Sequence, residues 1–308
     1  MSVLLAEKIL QMFLIILAGF VLTKTHVIRP EDGEPLSKIV LFLIVPACII
    51  STFRISLTRE ILFNMGFSAV ASVGVMFLLI LIARLSGSLF RLSTVEKASV
   101  AYSNAGNLIL PLVLYVFGRE WLVYCAVFFG IQLIFMWTHM APGFAHRKMQ
   151  PRKILLNPNI IAIGIGLVLM FFAIPLPPVV DTTLTILGDL LGPFAMLLIG
   201  ITMAGTDLKK VFSDTRIYLT IVLRLIVCPL IYILIFRLLR LYTVVPAGKE
   251  LTTIMLLAVA APSAASVVQF ALLYGEDKKQ AGAINVVSTL LCIITIPAMT
   301  ELYLRLIG

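Results

Sequence analysis

The chain contains 308 residues, of which 61% are hydrophobic and 13% are charged, and its mean hydropathy is +1.10. A soluble domain does not carry so large an apolar fraction, so the composition indicates a protein of the lipid bilayer. The net charge of +9 could suggest a nucleic-acid partner, but most of the Lys and Arg residues lie in short segments between apolar runs. We therefore expect a membrane-embedded chain that does not bind nucleic acid.

Ten apolar runs follow one another along the chain, and each is about long enough to cross the hydrocarbon core of a bilayer. They cover residues 6–24, 36–55, 61–83, 95–117, 120–140, 157–174, 182–205, 215–236, 250–274 and 280–304. The first run lacks a small-residue cleavage site, which predicts a retained helix rather than a signal peptide. The sequence thus predicts an all-α membrane protein with ten transmembrane helices.

The distribution of Lys and Arg predicts the orientation of the chain. The loops after the odd-numbered spans hold 15 of these residues, the opposite side with both termini holds 8, and Arg224 lies within a span. Because short positively charged loops stay in the cytoplasm, we expect a multi-pass protein of the cytoplasmic membrane with both termini outside. The four cysteines lie singly in four spans without CxxC spacing, so we expect no metal site.

Two of the predicted spans are interrupted in the same way. The fourth contains Ser103-Asn104-Ala105-Gly106-Asn107 followed by Pro111, and the ninth contains Ala260-Ala261-Pro262-Ser263-Ala264 followed by Ser266. Backbone that leaves a helix at membrane depth is tolerated only where it is buried in protein or lines a water-filled cavity. Paired interruptions of this kind predict the binding site of a transporter.

The two halves of the chain share further features. The second and seventh spans carry Pro46 and Pro193 at the same depth, and the fourth and ninth end in Gly118 and Gly275, each followed by polar residues. Aligning these glycines superposes the two interruptions. The chain therefore has the pattern of a duplication.

A repeat of five helices makes an odd number of crossings, so the second copy must be inverted in the membrane relative to the first. We expect the repeats at residues 1–142 and 157–308, joined by a basic cytoplasmic linker at 143–156. Inverted repeats support alternating access, in which one bundle moves against another around a site near the membrane midplane.

Several short motifs occur in a fixed order along the chain. They are residues 42–47 (FLIVPA), 103–112 (SNAGNLILPL), 117–118, 156–161 (LNPNII), 192–193 with 198–200, and 262–264 with 274–277. Together they resemble the auxin efflux carrier family in its bacterial form, and the resemblance covers essentially the full chain. The long hydrophilic central loop of many plant members is absent, so regulation by phosphorylation of such a loop is not implied.

This resemblance implies the ten-helix, 5+5 inverted-repeat fold shared with bile-acid symporters and related to sodium/proton antiporters. Helices four and nine would cross at their unwound centres. Helices one, two, six and seven would form a scaffold, and the others a moving transport domain. The function implied is that of a secondary transporter of organic acids. Together with a crossing that suits anions, it points to a mono- or dicarboxylate such as malate or malonate.

The residues at the interruptions suit an anion. Each unwound segment leaves a half-helix whose N-terminus presents free amide donors and a partial positive charge. Side chains near these ends can orient a carboxylate, and we expect Asn104, Asn107, Ser263 and Ser266 to do so. The alternative is that Gly106, Pro111 and Pro262 simply kink packed helices.

Further candidates lie inside other spans. Gln132 and Asn285 follow the two interruptions at mid-span and are expected to contact substrate. Asp189 is expected either to take up a proton or a cation or to face a watery cleft for structural reasons. Arg224 is expected to pair with a substrate carboxylate or with Asp189, or else to form a structural salt bridge or extend its head group to the membrane surface. Ser68, with Ser72 on the same face, is a weaker candidate, since small hydroxylated residues often serve helix packing.

Other classes of protein fit the sequence less well. No span contains an HExxH, a GxSxG or an adjacent acidic pair, so we do not expect an enzyme. A channel or a membrane solute sensor on the same fold remains open. No nucleotide-binding loop is present, so we expect no cofactor and coupling, if any, to Na⁺ or H⁺. A homodimer is an open expectation, because no decisive GxxxG face occurs.

Overall fold

The computed structural model describes residues 2–145, 151–205 and 215–308, and in this part of the chain every regular element is a helix. The helices are α1 Ser2–Lys24, α2 Pro30–Thr52, α3 Arg59–Phe90, α4 Thr94–Ala101, α5 Ala105–Val116, α6 Arg119–Ala145, α7 Pro151–Leu155, α8 Pro158–Phe171, α9 Pro178–Ala204, α10 Arg216–Leu238, α11 Gly248–Ala260, α12 Ala265–Tyr274 and α13 Lys278–Ile307.

Six of these helices, α2, α3, α6, α9, α10 and α13, are long and apolar enough to cross a membrane. The described apolar stretches of α1, α5, α8 and α12 have 10 to 17 residues. The all-helical membrane class predicted from composition is therefore confirmed. Of the predicted linker at 143–156, residues 146–150 lie outside the described part of the chain.

Helix α1 packs against the second half of α9 with the two backbones in direct contact. A Cβ atom at Gly19 would lie 2.5 Å from the carbonyl oxygen of Leu197, and one at Gly200 would collide with the carbonyl oxygen of Ile16. Small residues let membrane helices approach this closely, and the close packing replaces the hydrophobic driving force that is absent in lipid. Gly19 and Gly200 thus fix the position of α1.

Four of the described helices contain a widened π-helical turn, and the second residue after each turn is a proline. The turns are Val40–Ile44, Ala105–Ile109, Met136–Met140 and Leu223–Val227, and the prolines are Pro46, Pro111, Pro142 and Pro229. Proline has no N–H to donate, and its ring clashes with the carbonyl four residues earlier. In all four cases that carbonyl belongs to the π turn, so the wider turn relieves the clash.

We predict that Gly200→Ala destabilises the protein, because its methyl group would meet the backbone of α1. Overpacking of this kind costs about 1 to 3 kcal/mol. The measurement is thermal unfolding in detergent. Gly164→Ala in α8 is the matched control, since a Cβ there meets nothing within 4 Å. Equal melting temperatures for both variants would contradict the proposed packing role.

Candidate functional site

The two interrupted regions pair with each other through their backbones. The Asn104 N–H donates to the carbonyl of Pro262 (2.9 Å), and the Ala264 N–H donates to the carbonyl of Tyr102 (3.0 Å). Ser103 and Ser263 lie opposite each other as an isolated antiparallel bridge. We call these two segments, residues 102–104 and 261–264, the paired break. It satisfies four backbone groups that the helices leave unbonded.

A side chain from α6 satisfies the remaining backbone groups of Ser103. Gln132 Oε1 accepts from the Ser103 N–H (3.2 Å) and from its hydroxyl (2.8 Å), while Gln132 Nε2 donates to the Ser103 carbonyl (2.8 Å). Gln132 is 1% exposed. The Gln132 side chain therefore holds the backbone of the paired break in place, which is a different role from the substrate contact predicted for it.

The second half of the chain holds Ser263 in the same manner. Asn285 Nδ2 donates to the Ser263 carbonyl (2.7 Å), and the Ser263 N–H donates to Ser288 Oγ (3.2 Å). Both side chains come from α13, the helix that follows the second interruption, just as Gln132 comes from the helix that follows the first. In each half of the chain, the helix that follows the interruption thus bonds the backbone of its central serine.

Arg224 joins the ends of the two helices that stop at the paired break. It is fully buried, and its guanidinium donates to the carbonyls of Ala261 (2.8 Å), Val100 (2.9 Å) and Ala258 (3.2 Å). Val100 lies in the last turn of α4, and Ala258 and Ala261 lie at the end of α11. The last carbonyls of a helix have no intrahelical partner and carry partial negative charge, so a cation with several donors suits this position.

The opposite helix ends line a central cavity of about 80 Å³. The N-terminus of α5 contributes Asn104, Gly106 and Asn107, and that of α12 contributes Ala264, Ala265 and Ser266. The facing wall is the part of α2 that includes Ser37 and the first residues of its π turn, Val40 and Leu41. The N-terminal ends of two half-helices therefore meet across one small space.

The described lining of this cavity combines polar and apolar side chains and carries no formal charge. Among the described residues that line it there is no Asp, Glu, Lys or Arg. The side chains of Asn104 and Asn107 have no hydrogen-bond partner in the described protein, so both amides are available to a ligand. A Cβ at Gly106 would lie 2.8 Å from the ring of Phe129, so a larger residue there would have to displace that ring. Helix N-termini and free amides together favour a small anion.

The other residues predicted at the interruptions take different positions. Gly106, Asn107 and Pro111 lie in the helix after the first break rather than in unwound backbone, because the π turn before Pro111 begins at Ala105. Pro262 contributes its carbonyl to the paired break. Ser263 is buried with its hydroxyl unpartnered and does not line the cavity.

The three candidates for ion coupling lie apart from the cavity lining. Asp189 forms an ion pair with Arg119 (Oδ1 to Nη2, 2.5 Å), so it is not joined to Arg224. Arg224 donates to backbone carbonyls at the ends of α4 and α11. Ser68 is fully buried with an unpartnered hydroxyl on α3, where its carbonyl accepts from Ser72.

Three polar residues of the cavity were not among the predicted site residues, and one of them, Ser103, lies within the first interrupted segment itself. Gln269 lies three positions after Ser266 and lines the same cavity. Residues three apart share a helix face, so this spacing could have identified it. Ser37 of α2 also lines the cavity, and no local pattern marks it, because its proximity arises from tertiary packing.

A helical membrane protein with two interrupted helices paired around a cavity has the architecture of a membrane transporter. The chain belongs to the membrane transport protein family, whose sequence model matches residues 4–150 and 144–300. This confirms the resemblance to the auxin efflux carriers. The chain is also similar to an uncharacterized transporter of Methanothermobacter thermautotrophicus, with 26% identity over 258 residues, which covers 75% of this chain and 80% of that protein.

We predict that Arg224→Met is strongly destabilising, because it leaves three buried carbonyls without donors. Each buried unsatisfied polar group costs about 1 to 3 kcal/mol. Arg224→Lys should be intermediate, since an ammonium cannot reproduce the geometry of the fork. Thermal unfolding in detergent measures the relative stability of these variants. Arg237→Met is the control, because Arg237 is an exposed residue of the same helix. If Arg224→Met and Arg237→Met have the same melting temperature, the hydrogen bonds of Arg224 do not stabilise the fold.

Proposed function

We propose that this membrane transport protein is a secondary transporter of a small organic anion, a mono- or dicarboxylate such as malate or malonate. The observation that carries the proposal is the central cavity, where two helix N-termini and the unpartnered amides of Asn104 and Asn107 meet without any fixed charge in the lining. A carboxylate would accept from the amides and the free N–H groups there.

The size of the cavity supports a small substrate. About 80 Å³ corresponds to a few water molecules, given roughly 30 Å³ for each in the liquid. Room for a short carboxylate exists only if the lining adjusts slightly, and a bulky aromatic acid would require a larger opening.

The proposed architecture is the ten-helix 5+5 inverted repeat, with both termini outside and residues 143–156 as the cytoplasmic connection. Three observations support it. The two breaks pair as antiparallel equivalents, each is clamped by the following helix, and α4 and α11 end together at Arg224. On this architecture, α1, α2, α8 and α9 form the scaffold, and the other helices form the transport domain.

Contacts between these two bodies support alternating access. Arg119, which follows α5, pairs with Asp189 of α9 and donates to Ser51 of α2 (3.4 Å). Tyr115 of α5 packs directly against Gly192 of α9. These contacts lie at the ends of α5 and α6 remote from the paired break. In the predicted orientation this is the outer side, so the structure corresponds to an outward-closed state.

The coupling ion and the assembly belong to the same proposal. Asp189 is half exposed and changes partner if the outer contacts open, which makes it a candidate for H⁺ or Na⁺ coupling. Ser68 is a second candidate, on the basis of its unpartnered buried hydroxyl. No catalytic step is required of the protein, and a homodimer through the scaffold is compatible with the exposed apolar faces of α8 and α9.

Counterflow in proteoliposomes tests the proposed function. Vesicles preloaded with malonate or malate should accumulate labelled substrate, and Asn107→Ala should raise the apparent KM at least about tenfold, because a hydrogen bond to a charged group contributes about 1.5 to 3 kcal/mol. Gln11→Ala, which removes an exposed amide of α1, is the control and should behave as wild type.

A channel and a solute sensor would give different results in these assays. Flux that rises linearly with concentration and shows no counterflow would indicate a channel. Binding by thermal shift without flux would indicate a sensor. A substrate whose transport is indifferent to both Asn104→Ala and Asn107→Ala would place the site elsewhere.

We predict that Asp189→Asn weakens the contact between α6 and α9 on the outer side, because it removes the ion pair with Arg119. An exposed ion pair contributes about 0.2 to 1 kcal/mol, so the ratio of open to closed protein should rise by a factor of about 1.4 to 5. Reaction of Tyr115→Cys with a membrane-impermeant maleimide measures it, and the four native cysteines are buried and should stay silent. Glu34→Gln removes a pair within one helix and serves as control. Unchanged labelling in Asp189→Asn would exclude the pair as a closure contact.

A further inference from the structure

A second cavity lies between α3, α4 and α6, with a volume of about 270 Å³. It shares no lining residue with the central cavity. All three helices belong to the proposed transport domain, so a ligand here would move with that domain rather than block its motion. We call it the basic cavity, because Arg84 and Lys97 line it.

The two cations of the basic cavity have no partner among the described residues. Arg84 and Lys97 are exposed, and neither forms an ion pair or hydrogen bond with the described residues. No Asp or Glu is among the described lining residues. The adjacent carboxylate, Glu96, is fully buried and pairs with Arg216 (3.1 Å) instead. Within the described part of the chain, the positive charge at the mouth of the cavity is therefore uncompensated.

The floor of the cavity is apolar. It is formed by small and hydrophobic side chains, including Ile80, Ala98, Met140 and Phe144. The aliphatic part of Lys97 passes so close to Gly87 that a Cβ there would meet its Cδ at 2.7 Å, which leaves the ammonium at the surface. The cavity thus combines a cationic rim with a hydrophobic interior.

The neighbouring surface of α3 is also apolar. Leu81, Leu85 and Leu89 are spaced four residues apart and are 51%, 62% and 75% exposed. This spacing places them along one side of the helix, next to Arg84. A hydrocarbon chain could follow this stripe while a negatively charged group occupies the cavity.

We propose that the basic cavity binds an anionic phospholipid, with its phosphate on Arg84 and Lys97 and an acyl chain along the leucine stripe. Basic pockets between membrane helices bind anionic headgroups. The volume is several times the roughly 30 Å³ of one water, so a phosphate with adjoining glycerol fits. A soluble anion would use the cations but not the leucines, which is why the lipid is the favoured occupant.

The site connects to the paired break through Tyr102. Its hydroxyl forms hydrogen bonds with the Phe135 carbonyl (3.1 Å) and with His139 Nδ1 (2.9 Å) beside the basic cavity, while its carbonyl accepts from Ala264 in the break. A lipid that packs on Tyr102 and His139 would therefore hold α4 and α6 in the arrangement that supports the break.

Lipid titration of the purified full chain tests the proposal. In a neutral detergent, phosphatidylglycerol should raise the melting temperature and bind by native mass spectrometry in preference to phosphatidylcholine of the same chains. The double variant Arg84→Gln/Lys97→Gln should bind phosphatidylglycerol about 30-fold more weakly, since each cation near a membrane surface contributes a factor of about five. Arg237→Gln/Arg240→Gln, which removes two exposed cations outside the cavity, should bind as wild type.

A second variant fills the cavity without changing its charge. A Cβ at Gly143 meets nothing within 4 Å, so Gly143→Leu should fold and exclude the glycerol group. Gly74→Leu, equally open and outside the cavity, is the control. Equal phosphatidylglycerol binding by wild type, the charge variant and Gly143→Leu would overturn the proposal. Equal stabilisation by inorganic phosphate or glycerol 3-phosphate, lost in the charge variant, would overturn the lipid assignment in favour of a soluble anion.

Discussion

A backbone group that leaves a helix inside a bilayer must find its hydrogen-bond partner within the protein, because lipid offers none. This constraint determines the centre of the molecule. Tyr102, Asn104, Pro262 and Ala264 pair with one another, and the serine on each side is completed by a side chain from the next helix. The two halves of the chain therefore cannot separate at this point without leaving buried polar groups unsatisfied.

The same arrangement separates the negative ends of the half-helices from their positive ends. Two helix C-termini meet at Arg224, which neutralises their partial negative charge, and two helix N-termini meet at the central cavity. A buried cation is costly unless it is well bonded, and here three carbonyls surround it. The positive end of each half-helix remains uncompensated by any side chain in the described lining. An anion can supply the missing charge and leave again, which a permanent carboxylate could not.

The sequence predicted much of this and missed the rest for identifiable reasons. Composition and the spacing of apolar runs identified the helical membrane class, since lipid imposes length and polarity directly. Proline and glycine marked where the helices break. The partners of Arg224 and Asp189 could not be predicted, because both are decided by tertiary packing: Arg224 reaches backbone carbonyls that no residue pattern encodes, and Asp189 reaches Arg119 across the chain. Gln132 and Asn285 were identified as polar residues of the helices that follow the interruptions, but their hydrogen bonds to the backbone of the paired break appeared only with the structure.

The π turns limit where related chains can gain or lose single residues. A π turn holds one residue more than an α turn, and one residue corresponds to about 100° of rotation around a helix. Each of the four turns therefore re-aims the remainder of its helix by about that angle, so that one helix serves different neighbours above and below. A one-residue deletion within such a turn would rotate a whole helix face away from its partners. Among related chains, single-residue gaps should therefore be rare beside Pro46, Pro111, Pro142 and Pro229, and loss of the proline should accompany them where they occur.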